Sequence, residues 1–441
     1  MRVLFGTDGI RGEAGRPPLD AETVSRVGSA LVRSLLREGF PAPVRVTVGC
    51  DTRESSESIV AALAGGIAAA GGATRFAGVL PTPGVAYLVQ ALECHAGVVV
   101  SASHNPWRDN GIKIFSAIGR KLPDTVEAEI EQEIDAATAV PPLAVAAEAQ
   151  LRSFYAQHLS STIPKRLTGM KVVIDAANGA AFEIAPLAFR EAGAEVVLMN
   201  ASPDGRNIND GSGALHPQRM AERVVAEGAD LGIALDGDAD RIVVADARGS
   251  LLDGDDVLYL WSLELIREGR KPQVVVGTVM SNWSLEEALN AKGIRLVRAA
   301  VGDRYVVEAM EREGALLGGE PSGHLIRSDL TTTGDGVLTG LHLAALVAAS
   351  KTPLHAQARL VHTPQVLKNV KVKTRIPFDT IPALELERAR GETLLGGRGR
   401  ILLRYSGTEA LARVMVEGVH ADVVESVAGS LARTIQESIG S

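Results

Sequence analysis

The chain is predicted to be α/β: three related α/β domains with mixed, mostly parallel sheets, followed by a smaller α+β domain. Three observations predict this. A short Val/Ile-rich run, a small-residue loop and a helical pattern follow one another in that order three times. The three copies lie more than a hundred residues apart, far beyond the period of a short-repeat solenoid. The pattern stops after Lys351, where alternating apolar residues take over.

The first copy is the run 44–49, the loop 50–56 and the helical segment 58–70. The second is 171–175, 176–181 and 182–192, and the third is 273–277, 278–282 and 284–292. A continuous apolar run followed by a helix is the βα unit, and repeated units imply parallel strands covered on both faces. Between the first two copies lies an Ala/Val/Pro-rich stretch, 136–149, ahead of an amphipathic segment at 151–159. Between the next two, a turn-rich stretch at 246–256 precedes a helix at 257–267. After Lys351, Val370 and Val372 alternate with polar residues, and Ile401-Leu402-Leu403 forms a further apolar run, the pattern of an α+β unit. The expected divisions are 1–150, 151–252, 253–365 and 366–441.

Composition narrows the function classes. Lys and Arg number 45 against 53 Asp and Glu, a net charge of −8, which argues against a general nucleic-acid binder. Gly is 46 of 441 residues, about 10% against a usual ~7%, and its spread along the chain marks many tight turns. The most apolar stretch, 338–349, is interrupted by His342 and too short to span a bilayer, so no membrane role is expected. Two cysteines, Cys50 and Cys94, exclude a disulfide framework and a Cys-based zinc site. The N-terminal residues carry no apolar secretory segment, and a cytoplasmic location is expected.

Five loops carry candidate chemistry. Asp236-Gly237-Asp238-Ala239-Asp240-Arg241 follows the apolar run 231–235. In an extended loop the three carboxylates point one way and repel unless a cation sits among them; hard oxygens with small spacers suit Mg²⁺. An EF-hand fails, because its sixth position is Arg241 and its twelfth is Ala247. The bland alternative is a solvated acidic turn. Ser101-Ala102-Ser103-His104-Asn105-Pro106 follows 97–100 and displays a serine that could carry a phosphoryl group, or is simply a turn. Phe5-Gly6-Thr7-Asp8-Gly9-Ile10-Arg11-Gly12 places glycines beside a guanidinium able to hold phosphate, with a structural turn as the alternative. Gly318-Gly319-Glu320-Pro321-Ser322-Gly323-His324 is a polar loop suited to sugar hydroxyls, although a lone histidine is more often structural. Arg404-Tyr405-Ser406-Gly407-Thr408-Glu409 has the parts of a phosphate nest, and equally those of a capped helix start. Lys113 is a sixth candidate; an isolated lysine is normally a solvated charge. Walker A, Gly-x-Gly-x-x-Gly and His-Glu-x-x-His patterns are all absent, which removes support from nucleotide-dependent kinases, dehydrogenases and zincins.

Taken together and in this order, the Ser103, Asp236/Asp238/Asp240, Glu320-Ser322-His324 and Arg404-Ser406-Thr408 loops resemble the α-D-phosphohexomutase superfamily across essentially the whole chain. Its bacterial amino-sugar branch is the most similar, on the segments 5–12, 207–211, 301–306 and 413–418. The resemblance implies a heart-shaped, four-domain protein with a central cleft. It implies interconversion of glucosamine 6-phosphate and glucosamine 1-phosphate, feeding UDP-N-acetylglucosamine synthesis. Ser103 would be the phosphoserine, and Asp236, Asp238 and Asp240 would bind Mg²⁺ together with its phosphate. Arg11, Lys113 and Arg241 would act at the reacting phosphate, and Lys113, His324 and His104 are the candidate proton carriers. Glu320 and Ser322 would hold sugar hydroxyls, while Arg404, Ser406, Gly407 and Thr408 would grip the distal phosphate. The activator would be glucosamine 1,6-bisphosphate or glucose 1,6-bisphosphate, and the resemblance is compatible with a homodimer.

The sequence departs from the family pattern at three single positions and in one short segment. Ala239 stands where glycine is usual in the metal loop, and Pro321 where glutamine is common in the sugar loop. Ala410 replaces a usual proline, and Ser212-Gly213-Ala214-Leu215-His216 replaces Cys-Gly-Ser-Thr-His. Pro321 keeps glucose and mannose phosphates open as substrates. A metal-dependent sugar-phosphate phosphatase and a silent phosphosugar-binding protein are the alternatives of other classes.

Overall fold

The computed structural model describes residues 4–6, 8–357, 359–406 and 410–440. Four sheets follow one another along the chain. In the first, Val44–Cys50 runs parallel to both Gly72–Val79 and Ala96–Val100; antiparallel Asp109–Ser116, Gly9–Glu13 and Phe5–Gly6 extend the far side. In the second, Lys171–Asp175 is parallel to Glu195–Met199 and Leu231–Leu235, and antiparallel Ile242–Asp246 and Leu251–Leu252 extend it. In the third, Val274–Thr278 is parallel to Arg295–Ala299 and Leu317–Gly319, with Leu325–Arg327 antiparallel at the edge. The fourth is wholly antiparallel: Gln365–Lys371, Leu411–Gly418 and Gly399–Tyr405, packed by the helices Pro382–Leu395 and Ala421–Ile439.

The first three sheets therefore share a plan, a parallel core of three strands with an antiparallel extension beside the last of them. Central strands are almost entirely buried because helices cover both faces: Val46, Val48, Val98, Val173, Ile174, Ile233 and Val276 are all fully buried. The expected strands fall within a residue or two of those observed. The helix Gly336–Ser350, which holds the most apolar stretch, packs against Leu231–Leu235 and Ile242–Asp246, so the third segment roofs the second sheet. Its N-cap is Asp335, which accepts from the Leu338 amide and from the Tyr155 hydroxyl at 2.6 Å. Among the described residues, no helix is long and apolar enough to cross a membrane.

The shared plan places the chemistry. The Ser103 loop joins Ala96–Val100 to Asp109–Ser116, the aspartate loop joins Leu231–Leu235 to Ile242–Asp246, and the Glu320 loop joins Leu317–Gly319 to Leu325–Arg327. Each is the connection from the last parallel strand to its antiparallel neighbour, at the carboxyl end where α/β sheets bind ligands.

Candidate active site

Ser103 follows a fully buried strand, and its backbone has φ +51, the left-handed region that costs a non-glycine residue about 1 kcal/mol. Surrounding groups hold it there. Its amide donates to the Ser101 hydroxyl (2.9 Å), which donates to Asp51 (2.6 Å). Its carbonyl accepts from Arg53 (3.0 Å) and Asn209 (2.9 Å). Arg53 is buried against Asp51 and also donates to the carbonyls of Asn105, Pro106 and Asp109, so one guanidinium clamps the whole loop. The Ser103 hydroxyl donates to Asp236 at 2.7 Å.

The aspartate loop is a hairpin turn, which corrects the expectation of an extended loop with alternating carboxylates. The Ala239 amide donates back to the Asp236 carbonyl at 3.0 Å, and Ala239 has φ +56. Alanine thus takes up the conformation that suits glycine. The turn still brings one oxygen each of Asp236, Asp238 and Asp240 within 4.8 Å of one another, all buried. Among the described residues, no hydrogen-bond donor reaches Asp238 Oδ1 or Asp240 Oδ1. Burial and the two neighbouring carboxylates push the Asp236 carboxyl up to about 8. Crowded, partly donor-free hard oxygens are the ligand set of a Mg²⁺ ion, so these residues fit the expected metal. A second acidic cluster, Asp253, Asp256 and His362, is accounted for by a capping box on the helix Gly254–Arg267.

Lys113 faces this loop from Asp109–Ser116 and is 2% exposed, so the reading of an isolated solvated lysine fails. It donates to Asp238 (2.9 Å) and Asp240 (3.4 Å) and lies 3.3 Å from Asp8. Burial would lower its pKa, but the three carboxylates outweigh that and hold it well above the ordinary lysine value. Burial likewise opposes ionisation of Asp240, yet Lys113, His324 and Arg241 keep its carboxyl well below the usual range. His104 behaves oppositely: burial, then Arg241 and Arg11, push it down to about 4. Its Nδ1 lies 3.2 Å from the Arg241 guanidinium and 3.4 Å from the Ser103 hydroxyl. His324 is buried; its Nε2 accepts from the Gly334 amide (3.0 Å), while its Nδ1 is 3.8 Å from Asp240.

Arg11, His104, Asp240, Arg241, Glu320, His324, Arg404 and Ser406 all line one cavity of about 1040 Å³. Ser103 and Lys113 lie buried against that lining, and Ser322 is exposed beside Glu320, its hydroxyl 3.5 Å from that carboxylate. Gly407 and Thr408 lie outside the described residues. Arg404 sits directly opposite Arg413 across the strand pair, and burial together with Arg413 lowers its pKa. Like charges in register repel, and both line the cleft, the arrangement of an anion clamp. The segment after Arg404 leads into the strand Leu411–Gly418, which removes the capped-helix alternative.

Sequence reasoning missed Asp8, Arg53, Lys121, Asp303 and Arg413 as individual site residues. Asp8 pairs with Arg11 and Lys121, and Lys121 pairs with Asp303. Arg413 was legible in principle, as the register partner of Arg404 across a hairpin; the Asp8–Lys121 and Lys121–Asp303 pairs and the reach of Arg53 into the Ser103 loop are long-range contacts that no local pattern announces.

A cleft lined by residues of all four segments, with an acidic triad able to hold a metal beside a buried serine and lysine, has the groups that a metal-assisted phosphotransfer enzyme uses. Models of phosphoglucomutase/phosphomannomutase alpha/beta/alpha domains I, II and III match residues 2–140, 153–249 and 253–363, and the C-terminal domain model matches 367–434. The phosphoglucosamine mutase of Sorangium cellulosum (strain So ce56) is 45% identical over 99% of this chain and 94% of its own length. That of Solibacter usitatus (strain Ellin6076) is 46% identical over 99% of each. The chain belongs to the phosphoglucomutase/phosphomannomutase family, in its phosphoglucosamine mutase branch, and is an isomerase. The fold matches a Burkholderia thailandensis phosphoglucomutase/phosphomannomutase family protein with a TM-score of 0.83 at 24% identity, over 98% of this chain and 97% of that one. An Aspergillus fumigatus N-acetylphosphoglucosamine mutase, solved with GlcNAc-6P and magnesium, matches with a TM-score of 0.66 at 17% identity, over 99% and 96%.

Proposed function

We propose that the chain interconverts glucosamine 6-phosphate and glucosamine 1-phosphate through phospho-Ser103. The P–O bond to Ser103 breaks as a new P–O bond forms to the free sugar hydroxyl, giving a 1,6-bisphosphate. The bisphosphate turns around, and its other phosphoryl group returns to Ser103. The carrying observation is the Ser103 hydroxyl 2.7 Å from Asp236, within an acidic triad that Lys113 also contacts. Mg²⁺ held by Asp236, Asp238 and Asp240 would supply charge neutralisation at the phosphoryl oxygens.

The chain's own groups do the rest. Lys113, held cationic, stabilises phosphoryl charge and gives a proton to the departing Ser103 oxygen, while the attacking sugar hydroxyl gives its proton to His324; Arg11 and Arg241 orient the phosphate from the cleft side. His104, held neutral, is a hydrogen-bond partner to the serine. His324 stands beside Asp240 as the proton carrier nearest the sugar loop. Glu320 and Ser322 bind sugar hydroxyls, and Arg404, Ser406, Gly407 and Thr408, joined by Arg413, grip the distal phosphate. Burial of Ser103 keeps water from the phosphoryl group and favours transfer over hydrolysis. The unit 1–150 contributes the Ser103 loop and the Arg11 segment, and the units 151–252, 253–365 and 366–441 contribute one loop each. Priming would use glucosamine 1,6-bisphosphate or glucose 1,6-bisphosphate; by resemblance the setting is cytoplasmic and the assembly to look for is a homodimer.

The test is mass spectrometry after incubation with Mg²⁺ and glucose 1,6-bisphosphate. One phosphate on Ser103, and loss of mutase turnover in a folded Ser103→Ala variant, are expected. Full turnover by Ser103→Ala would sink the covalent mechanism. Pro321 favours a second reading, the same chemistry on glucose or mannose phosphates, because it removes a side-chain amide from the sugar loop.

A further inference from the structure

We propose that Lys121 is a positioning residue for phosphoryl transfer: through Asp8 it sets Arg11 and Lys113, and through Asp303 it makes their placement depend on the seating of the sugar-binding unit. The inference rests on the reading above in which Arg11 and Lys113 act at the reacting phosphate.

Lys121 follows the strand Asp109–Ser116 and forms an isolated bridge with Phe115. Its ammonium pairs with Asp8 Oδ1 and with Asp303 Oδ2, and its side chain is only 11% exposed. Asp8 spends its other oxygen on the two proposed catalytic cations: Oδ2 pairs with Arg11 and lies 3.3 Å from Lys113. One carboxylate thus holds three cations. Asp303 opens the helix Asp303–Glu313 of the third segment, and its Oδ2 lies 3.9 Å from His324. The path from the sugar loop to the phosphoryl site is therefore His324 packed beside Asp303, followed by a run of ion pairs: Asp303, Lys121, Asp8, then Arg11 and Lys113. A parallel tie crosses the same boundary, from Arg304 to Glu127 at 2.9 Å.

Lys121 itself does not touch the reacting atoms. Asp8, Arg11 and Asp303 line the reaction cleft, whereas Lys121 lines a second, largely apolar cavity of about 510 Å³ on the other side of the pair. Asp303 and Arg304 face both spaces, so the ion pair is the partition between them. The Lys121 ammonium and Asp303 are mostly shielded from solvent, and removing the ammonium is costly because Asp303 is left without its nearest cation. Removing the ammonium frees Asp8 at one end and lets Arg11 and Lys113 shift; a displacement near 1 Å costs roughly a hundredfold in such chemistry.

The experiment measures mutase kcat, KM and melting temperature for Lys121→Met, Lys121→Arg, Asp303→Asn and the double variant Lys121→Met/Asp303→Asn, with Arg11→Ala and Lys113→Ala alongside. We expect Lys121→Met to lower kcat about 10–100-fold while KM moves little. Lys121→Arg should regain most of that loss, and the double variant should be no worse than Lys121→Met, since both changes cut one path. Should Lys121→Met fold poorly, Asp303→Asn decides, with an expected drop in kcat of roughly tenfold. The inference is overturned if folded variants keep kcat, if arginine fares no better than methionine, or if the two losses multiply. Retained turnover in Arg11→Ala and Lys113→Ala would instead overturn the reading beneath it.

Discussion

Ser103 and Ala239 each hold a left-handed backbone without being glycine, and each sits where the loop must turn a functional group into the site. The strain at Ala239 is offset in part by the lower entropy of alanine in the unfolded chain, so Ala239→Gly should change stability by less than about 1 kcal/mol; chemical denaturation measures this. Asp335 offers a sharper residue-level test. Burial raises its carboxyl from 3.8 to about 6, despite hydrogen bonds from Leu338 and Tyr155 that favour the charged form. The folded state therefore favours the protonated acid, and this contribution, present below pH 4, is lost as pH rises through 6. At roughly 1.4 kcal/mol per unit, the loss is about 3 kcal/mol. Asp335→Asn keeps the cap, so its melting temperature relative to the unmodified chain should climb between pH 4.5 and 7.5 and then level off. A flat difference would contradict the assignment. At the distal clamp, Arg413→Ala should raise KM about tenfold with a smaller effect on kcat, since binding and not bond-making is lost.

The elements were the most legible part of the sequence. Runs such as 171–175 and 231–235 announce buried strands because helices cover both faces and leave no polar positions. The loops were legible as loops, but not their equivalence: that three of them connect the last parallel strand to an antiparallel neighbour depends on sheet order, which no local pattern encodes. Arg53 was missed for the same reason, since the carbonyls it holds lie about fifty residues on in the Ser103 loop. Lysine at that position keeps one charge but loses the fork that reaches several carbonyls. Arg53→Lys should therefore lower kcat at least tenfold, in kinetics on a folded variant, with little change in KM. Gly9 meets a demand that sheet order makes and the local sequence does not announce: its φ is +80, and an added Cβ would fall 2.3 Å from the Ile112 carbonyl oxygen. Gly9→Ala should cost roughly 2–3 kcal/mol and displace Arg11, which calorimetry and kcat would report together.

Four units converge on one cleft, and the division of labour explains how a single site handles both ends of a sugar. On the proposed function, the phosphoserine and metal loops come from the first two sheets, the hydroxyl-binding loop from the third, and the distal clamp from the fourth. A clamp carried on its own sheet can grip whichever phosphate is not reacting, so the bisphosphate can turn without a second catalytic centre. On the proposed reading, Pro321 beside Glu320 is the position at which sugar preference would be open. The most direct measurement compares mutase rates on glucosamine 6-phosphate, glucose 6-phosphate and mannose 6-phosphate, with Mg²⁺ and the matching 1,6-bisphosphate supplied. A large preference for glucosamine 6-phosphate, abolished in Ser103→Ala, is the predicted result; equal or better rates on a neutral hexose phosphate, or no turnover on any of the three by folded protein, would contradict it.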